Sequence, residues 1–248
     1  MASNKILNIT IPVDTKVNIL EKIKKNILKQ GRFFHIVSLN PENLVLTHEN
    51  PRFKKIVETA QIKLVDGVGI VLAARWLGVP IGERMTGVDL MEELIIMANK
   101  LRFRVLLIGA RSNLALNLAD CYNREFPKAT FKGLYGIQNI KKPRPNEERA
   151  VFSIVRHYKP HILLVSFGSP DQESWLARHK KEFSGIVAVG VGGAFDYLGG
   201  KVLRAPGLIR NLGLEWLFRL INQPWRWRRQ LRLIKFTQLI LAQKWRKK

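Results

Sequence analysis

The chain has 248 residues, 46% of them apolar, enough to bury a substantial core as one main domain with an appendage. Its formal net charge of +23 implies a polyanionic partner, whether nucleic acid, an anionic membrane or a phosphorylated substrate. The single cysteine, Cys121, excludes an internal disulfide framework and favours a reducing compartment, with the cytoplasm as the default.

Met1 to Leu7 lacks the apolar core of a secretory signal and reads as a mature start. No stretch reaches the roughly 18 uninterrupted apolar residues of a spanning helix. The best, Leu64 to Ile81, contains Asp66 and Arg75. From Phe33 onward, apolar runs of strand length alternate with helical patterns, the signature of βαβ units and a largely parallel sheet. Strands are expected at Phe33–Val37, Ile62–Val65, Val105–Ile108, Ile162–Ser166 and Ile186–Val189. Helices are expected at Pro41–Leu46, Gly67–Leu77, Asn113–Glu125, Gln172–Lys180 and Leu208–Leu220. The fold class is therefore α/β, a Rossmann-like sheet flanked by helices.

Lys141 to Asn146 reads as an exposed connection, because its two prolines cannot continue a helix or a central strand. Asn222-Gln223-Pro224 marks a second break, after which Trp225 to Trp245 has the composition of one final helix. On that helix Arg228, Arg232, Lys235 and Arg246 share one face, with Leu231, Ile234, Leu241 and Trp245 roughly opposite. From Lys201 to Lys248 there are 13 Lys and Arg against one acid, Glu215, and four of the six tryptophans. The expected division is an α/β domain over 1–200 and a basic helical appendage over 201–248.

Ligands of parallel α/β sheets bind outside the carboxyl ends of the strands, so polar groups just past each strand come first. Ser38 to Glu42, Asp66 to Gly69, Phe167 to Glu173 and Gly190 to Asp196 all converge on one rim. Asp66 meets a glycine turn at a strand end, where desolvation could fit it for general-base work. A helix N-cap is the alternative from spacing alone. Gly190, Gly192 and Gly193 do not have the spacing of the dinucleotide fingerprint, which counts against a nicotinamide-dependent oxidoreductase. Gly109 is open between a phosphate contact and an ordinary strand-to-helix connection.

The five histidines show no paired ligand spacing and no Asp-x-Asp occurs, so neither a metal nor another cofactor is expected. A substrate diphosphate would then be met by arginines and helix N-termini. Arg84 is a candidate, or else a solvated loop residue.

Six segments in order resemble the WecG/TagA/CpsF glycosyltransferase family over roughly Phe33 to Arg232. They are Ser38 to Glu42, Asp66 to Gly69, Arg84 to Leu90, Phe167 to Glu173, Gly190 to Asp196, and Arg204-Ala205-Pro206 with Gly213 to Leu220. The resemblance implies an inverting, metal-independent transfer of a sugar from a UDP donor to a lipid-diphosphate acceptor. It matches Asp66 to the catalytic base and overrides the N-cap alternative. It assigns Asn40, Arg84 and Gln172 to the substrate pocket, with Ser38, Thr86 and Asp196 of the same motifs. Where the family commonly has threonine this chain has Ser38, which keeps the hydroxyl but loses the rotamer-restricting methyl. Arg219, Arg226 and Arg229 match tail arginines that fold over the site and meet a diphosphate.

The implied partners are a UDP-sugar, N-acetylmannosamine above other hexoses, an undecaprenyl-diphosphate-linked N-acetylglucosamine, an anionic membrane surface on its cytoplasmic side, and a second copy of the chain. Nucleic acid is the weaker reading of the basic, tryptophan-rich tail, which fits an interfacial helix equally well. Within that tail, residues 204–229 are expected to form a lid and residues 232–248 to contact lipid.

Overall fold

The computed structural model describes residues 4–29, 31–109, 113–200, 202–211, 213–224 and 227–246. A short hairpin, β1 (Lys5–Ile6) and β2 (Ile9–Thr10), precedes α1 (Lys16–Lys29), whose Ile19, Ile23 and Ile27 recur every fourth residue and are all buried. The first parallel unit is β3 (Phe34–Leu39), α2 (Pro41–Glu49), α3 (Pro51–Thr59) and β4 (Ile62–Val65). Next come α4 (Val68–Leu77), α5 (Gly87–Leu101), β5 (Arg104–Gly109), α6 (Leu114–Glu125) and β6 (Thr130–Leu134). They are followed by α7 (Pro145–Tyr158), β7 (Ile162–Ser166), α8 (Asp171–Arg178) and β8 (Val187–Gly190). After β8 come α9 (Ala194–Leu198) and, in the tail, α10 (Gly207–Asn211), α11 (Glu215–Asn222) and α12 (Trp227–Trp245).

The main sheet has the order β4-β3-β8-β7-β5-β6, and every neighbouring pair is parallel. Both faces are covered, which is why these strands read as unbroken apolar runs rather than alternating ones. Ile36, Leu64, Leu107, Leu164 and Val189 point into a cluster with α1, α5 and α6. Their neighbours point the other way. Val37, Leu39 and Val65 pack with α2, α3 and α4, while Leu106, Ile108, Leu163 and Val165 pack with α7 and α8.

All five expected strands are present, shifted by at most two residues. The sixth, β6, sits at the sheet edge, and its exposed Thr130 and Lys132 gave it no apolar run. Pro145 opens α7 at its first position instead of lying in a connection, since a helix start has no use for the missing N–H. The single helix expected over Leu208–Leu220 is two, α10 and α11. Gly213 turns between them at φ +73°, and a Cβ there would come within 2.7 Å of Val68.

The last helix departs most from expectation. It lies along α2 and buries Phe236 and Ile240 in the cluster of Val37, Leu44 and Ile70, and three of its described cations turn toward the domain. Arg232 Nη1 meets Glu42 Oε1 at 2.6 Å, Lys235 pairs with Glu49, and Lys244 Nζ donates to the Trp76 carbonyl at 2.7 Å. Gln243 holds the β1–β2 hairpin, accepting from Leu7 N at 2.8 Å and donating to Lys5 O at 3.0 Å. Three cations expected to face lipid are therefore engaged with the α/β domain. The exposed apolar side survives: Trp227, Leu231, Ile234 and Trp245 lie opposite Phe236 and Ile240 on the helix.

Because α12 is part of the core, Phe236→Ala should destabilise the whole domain by about 3 kcal/mol, the usual cost of emptying a buried aromatic site. Urea unfolding reads this as a lower midpoint in one transition. Removal of residues 231–248 should cost at least as much; an unchanged midpoint in either variant would mean that α12 is not docked.

Candidate active site

The carboxyl ends of β3, β4, β7 and β8 open into one cavity of about 1170 Å3. Ser38, Asn40, Asp66, Arg84, Thr86, Gln172, Asp196 and Arg219 all line it. Arg226 and the side chain of Arg229 lie outside the described residues. The rim expected from the strand ends is thus the wall of a real cleft, at the place where parallel sheets bind ligands.

Asp66 is the first residue past β4, tied by its N–H to the Leu39 carbonyl at 2.8 Å. Gly67, not Asp66, takes the N-cap position of α4, at φ 91° and with no side-chain cap. The carboxyl is consequently left for the cavity. Some of its surface sees that space, but protein surrounds it at the cleft floor and desolvation dominates its titration. Burial pushes its pKa up to about 7, Glu215 and Asp89 add to the rise, and Arg84 and a hydrogen bond from the Gly87 N–H oppose it. Glu215, the one acid of the tail, also lines the cavity. It belongs to the Gly213 to Leu220 segment, and nothing in spacing links it to Asp66.

Arg84 is no solvated loop residue. A parallel bridge pairs it with Val65, Met85 N donates to Val65 O at 2.9 Å, and Arg84 Nη1 reaches the Arg210 carbonyl at 3.5 Å. The tail therefore rests on it. Arg204 ties the tail down a second time, with Nη2 2.5 Å from Asp89 Oδ1 and Nη1 3.3 Å from Glu92 Oε1.

Several binding candidates spend part of their polarity on the scaffold. Asn40 Oδ1 caps α2 by accepting from Asn43 N at 2.8 Å, so its amide NH2 is what it can offer a ligand. Thr86 Oγ1 accepts from Asp89 N and Thr86 N donates to Asp89 Oδ2, both at 3.2 Å, a capping box that fixes the start of α5. Gln172 is buried: Oε1 accepts from Gly168 N at 3.0 Å and Gly192 N at 3.3 Å, while Nε2 donates to Glu173 Oε1 at 2.8 Å. It staples the loops after β7 and β8. Gly190 must lack a Cβ here, because one would collide with the Gln172 amide. Glu173, whose pKa burial raises, also accepts from Ser169 Oγ at 2.7 Å.

Arg219 projects from α11 onto the loop after β8. Its Cζ stands 4.8 Å from the centre of the Tyr197 ring, and its guanidinium occupies the space a Cβ on Gly193 would need. Its buried Nε has no hydrogen-bond partner among the described residues. No three His, Cys, Asp or Glu side chains form a cation-holding group among the described residues. A carboxyl of raised pKa near Arg84, in a cavity that Arg219 also lines, suits proton abstraction beside a departing anion.

That chemistry and this sheet suit a glycosyltransferase, and sequence comparison shows one. Residues 4–248 match the model of the "Glycosyl transferase WecG/TagA/CpsF family", and the chain belongs to it. Among curated relatives, an N-acetylglucosaminyldiphosphoundecaprenol N-acetyl-beta-D-mannosaminyltransferase of Bacillus spizizenii is 31% identical over 92% of this chain and 87% of its own length. Proteins of the same name from Bacillus subtilis, at 27% over 100% of this chain and 94% of their own length, and from Staphylococcus aureus, at 29% over 92% and 87%, are similar to it as well.

A raised Asp66 pKa carries a stability signature. The folded chain keeps a proton that the unfolded chain releases between about pH 4 and pH 7, so native stability falls as pH rises through that window. Asp66→Asn should remove the fall. We expect the variant to match wild type near pH 4 and to exceed it by on the order of 2 kcal/mol at pH 8 in urea unfolding. Parallel stability curves for the two proteins would show that Asp66 titrates normally.

Proposed function

We propose that this chain transfers N-acetylmannosamine from a UDP donor to N-acetylglucosamine linked through diphosphate to undecaprenol, with inversion and without a metal ion. The observation that carries this reading is Asp66, a carboxyl of raised pKa at the floor of a cleft walled by all six family segments. The sugar and the acceptor are those in the names of the relatives.

In the proposed reaction Asp66 takes the proton of the acceptor hydroxyl as that oxygen forms its bond to the anomeric carbon. The bond from that carbon to the UDP oxygen breaks on the opposite face, and the leaving diphosphate carries the charge away. Arg219, seated on Gly193 and Tyr197, meets that charge, joined by Arg226 and Arg229. Arg84 and the Asn40 amide orient the substrates, Ser38 and Asp196 contribute contacts from the same wall, and Gln172 and Thr86 hold the loops that shape it.

We assign residues 1–200 to catalysis and 201–248 to a lid and membrane contact on the cytoplasmic face. None of the described helices is long and apolar enough to cross a membrane. Exposed Trp227, Leu231, Ile234 and Trp245 on α12, with Leu217 and Ile221 on α11, supply an interfacial surface. Since Arg232, Lys235 and Lys244 are engaged within the protein, apolar burial rather than charge should dominate adsorption.

Transfer from UDP-N-acetylmannosamine in the presence of a chelator tests the chemistry. Asp66→Asn should cost 10²- to 10⁴-fold in kcat, the range of a lost general base. Wild-type kcat/KM should rise with pH through about 7, and Glu215→Gln should move that midpoint to lower pH by removing a like charge. A strict divalent requirement, or full activity of Asp66→Asn, would refute the mechanism. In flotation with anionic vesicles, Ile234→Glu with Trp245→Glu should release the protein more completely than raised salt does. If the same pair instead dissolves a dimer seen in sedimentation without vesicles, the surface serves self-association.

A further inference from the structure

At about 1170 Å3 the cavity exceeds the 300–1,000 Å3 of a typical small-molecule site, and its lining is not uniform. Every polar candidate lies at the sheet end. Beyond Asp66 the cavity runs on between α4 and α12, where Leu72, Ala73 and Trp76 line one wall and Leu233, Phe236 and Ile240 the other. Leu72, Ala73 and Trp76 share one face of that helix over about 6 Å. Among the described side chains, the far end is marked by Lys244 Nζ on the Trp76 carbonyl.

Such an arm is wasted on a nucleotide sugar, which is polar along its whole length. It suits a molecule with a sugar-diphosphate head and a hydrocarbon continuation. The arm also opens outward: Leu72 is 57% exposed, Trp76 46% and Ile234 59%, although all three line the cavity. Ile234 belongs at the same time to the exposed apolar stripe of α12. Among the described residues, apolar surface thus runs from the cleft to the outside past a single polar side chain on the α12 wall, Thr237, whose hydroxyl is already donated to the Leu233 carbonyl at 3.0 Å.

We infer that the groove between α4 and α12 binds the first isoprene units of the acceptor's polyprenyl chain, on the reading that the acceptor is lipid-linked. The head group lies toward Asp66, the diphosphate follows, and the chain leaves past Trp76 and Ile234. The groove makes chain length, and not only the sugar, part of acceptor recognition.

The test compares N-acetylglucosamine acceptors joined through diphosphate to either an ethyl or a farnesyl group, used below micelle-forming concentration and without membranes. Wild type should prefer the farnesyl acceptor by about tenfold or more in kcat/KM, an energy that burial of a few apolar carbons supplies. Thr237→Trp, on an exposed position of the α12 wall, should fill the groove and bring that ratio near unity. Leu72→Glu should do the same from α4. Thermal unfolding of each variant checks that it is folded. Equal use of the two acceptors by wild type, or an unchanged ratio in both folded variants, overturns the groove. If no acceptor is used at all, the proposed function fails instead, and calorimetry with farnesyl diphosphate still reads the groove. Binding tighter than that of inorganic pyrophosphate and weakened by Thr237→Trp supports it, and equal binding of the two rejects it.

Discussion

The structure turns on one unfavourable act, the desolvation of the Asp66 carboxyl at the end of β4. A lone buried carboxylate is costly, and proteins meet that cost by keeping the proton or by supplying opposite charge. Here both responses are present. Arg84 and the Gly87 N–H favour the ionised form, while burial, Glu215 and Asp89 favour the neutral one. The balance falls near neutrality, where a carboxyl can both accept and release a proton. The parallel sheet makes the arrangement possible, because it brings four strand ends to one edge without any strand having to cross another.

The tail is the second half of the same device. Net charge alone suggests an electrostatic anchor, but the described contacts divide the cations by use. Arg204 binds Asp89 and Glu92, Arg232 binds Glu42, Lys235 binds Glu49, and Lys244 caps the end of α4. Each joins the tail to a segment that borders the cleft. Partly exposed pairs of this kind contribute little stability one by one. Their value is positional: with Phe236 and Ile240 buried beneath them, they fix α12 beside α2 and leave its tryptophan-bearing side outward.

The sheet was legible in the sequence because strands buried on both faces are written as apolar runs, which periodicity detects. Edge strand β6 was not, since Lys132 and Gly133 interrupt its pattern for reasons of place. Gly133 is there because α6 crosses so close that a Cβ would strike the Ala115 carbonyl. Helix α1 carries a plain Ile19-Ile23-Ile27 stripe, but it precedes the first strong strand and has no turn chemistry linking it to the βαβ rhythm. In the cleft, position past a strand singled out Asp66 and the needs of a diphosphate singled out Arg84, with alternatives that only the motif resemblance resolved; Arg219 came from the resemblance alone. What no local pattern could give is partnership over distance. The Arg232–Glu42 pair spans 190 residues of sequence, and the meeting of Glu215 with Asp66 spans 149.

That last meeting links the tail to the chemistry. Helix α11 carries Glu215 at its first position and Arg219 one turn later, on the same side of the helix, and both line the cavity. The first raises the pKa of Asp66; the second stands where the loop after β8 has no side chain at Gly193. Any displacement of α11 therefore moves a negative and a positive charge together, changing the proton affinity of the proposed base and the reception of a leaving diphosphate in one motion. The glycine turn at Gly213 and the Arg84–Arg210 contact lie directly before that helix, so its position is set by the cleft's own residues. The proposed lid and the proposed base therefore cannot be tuned separately, which is a physical reason for a tail so basic to keep one acid.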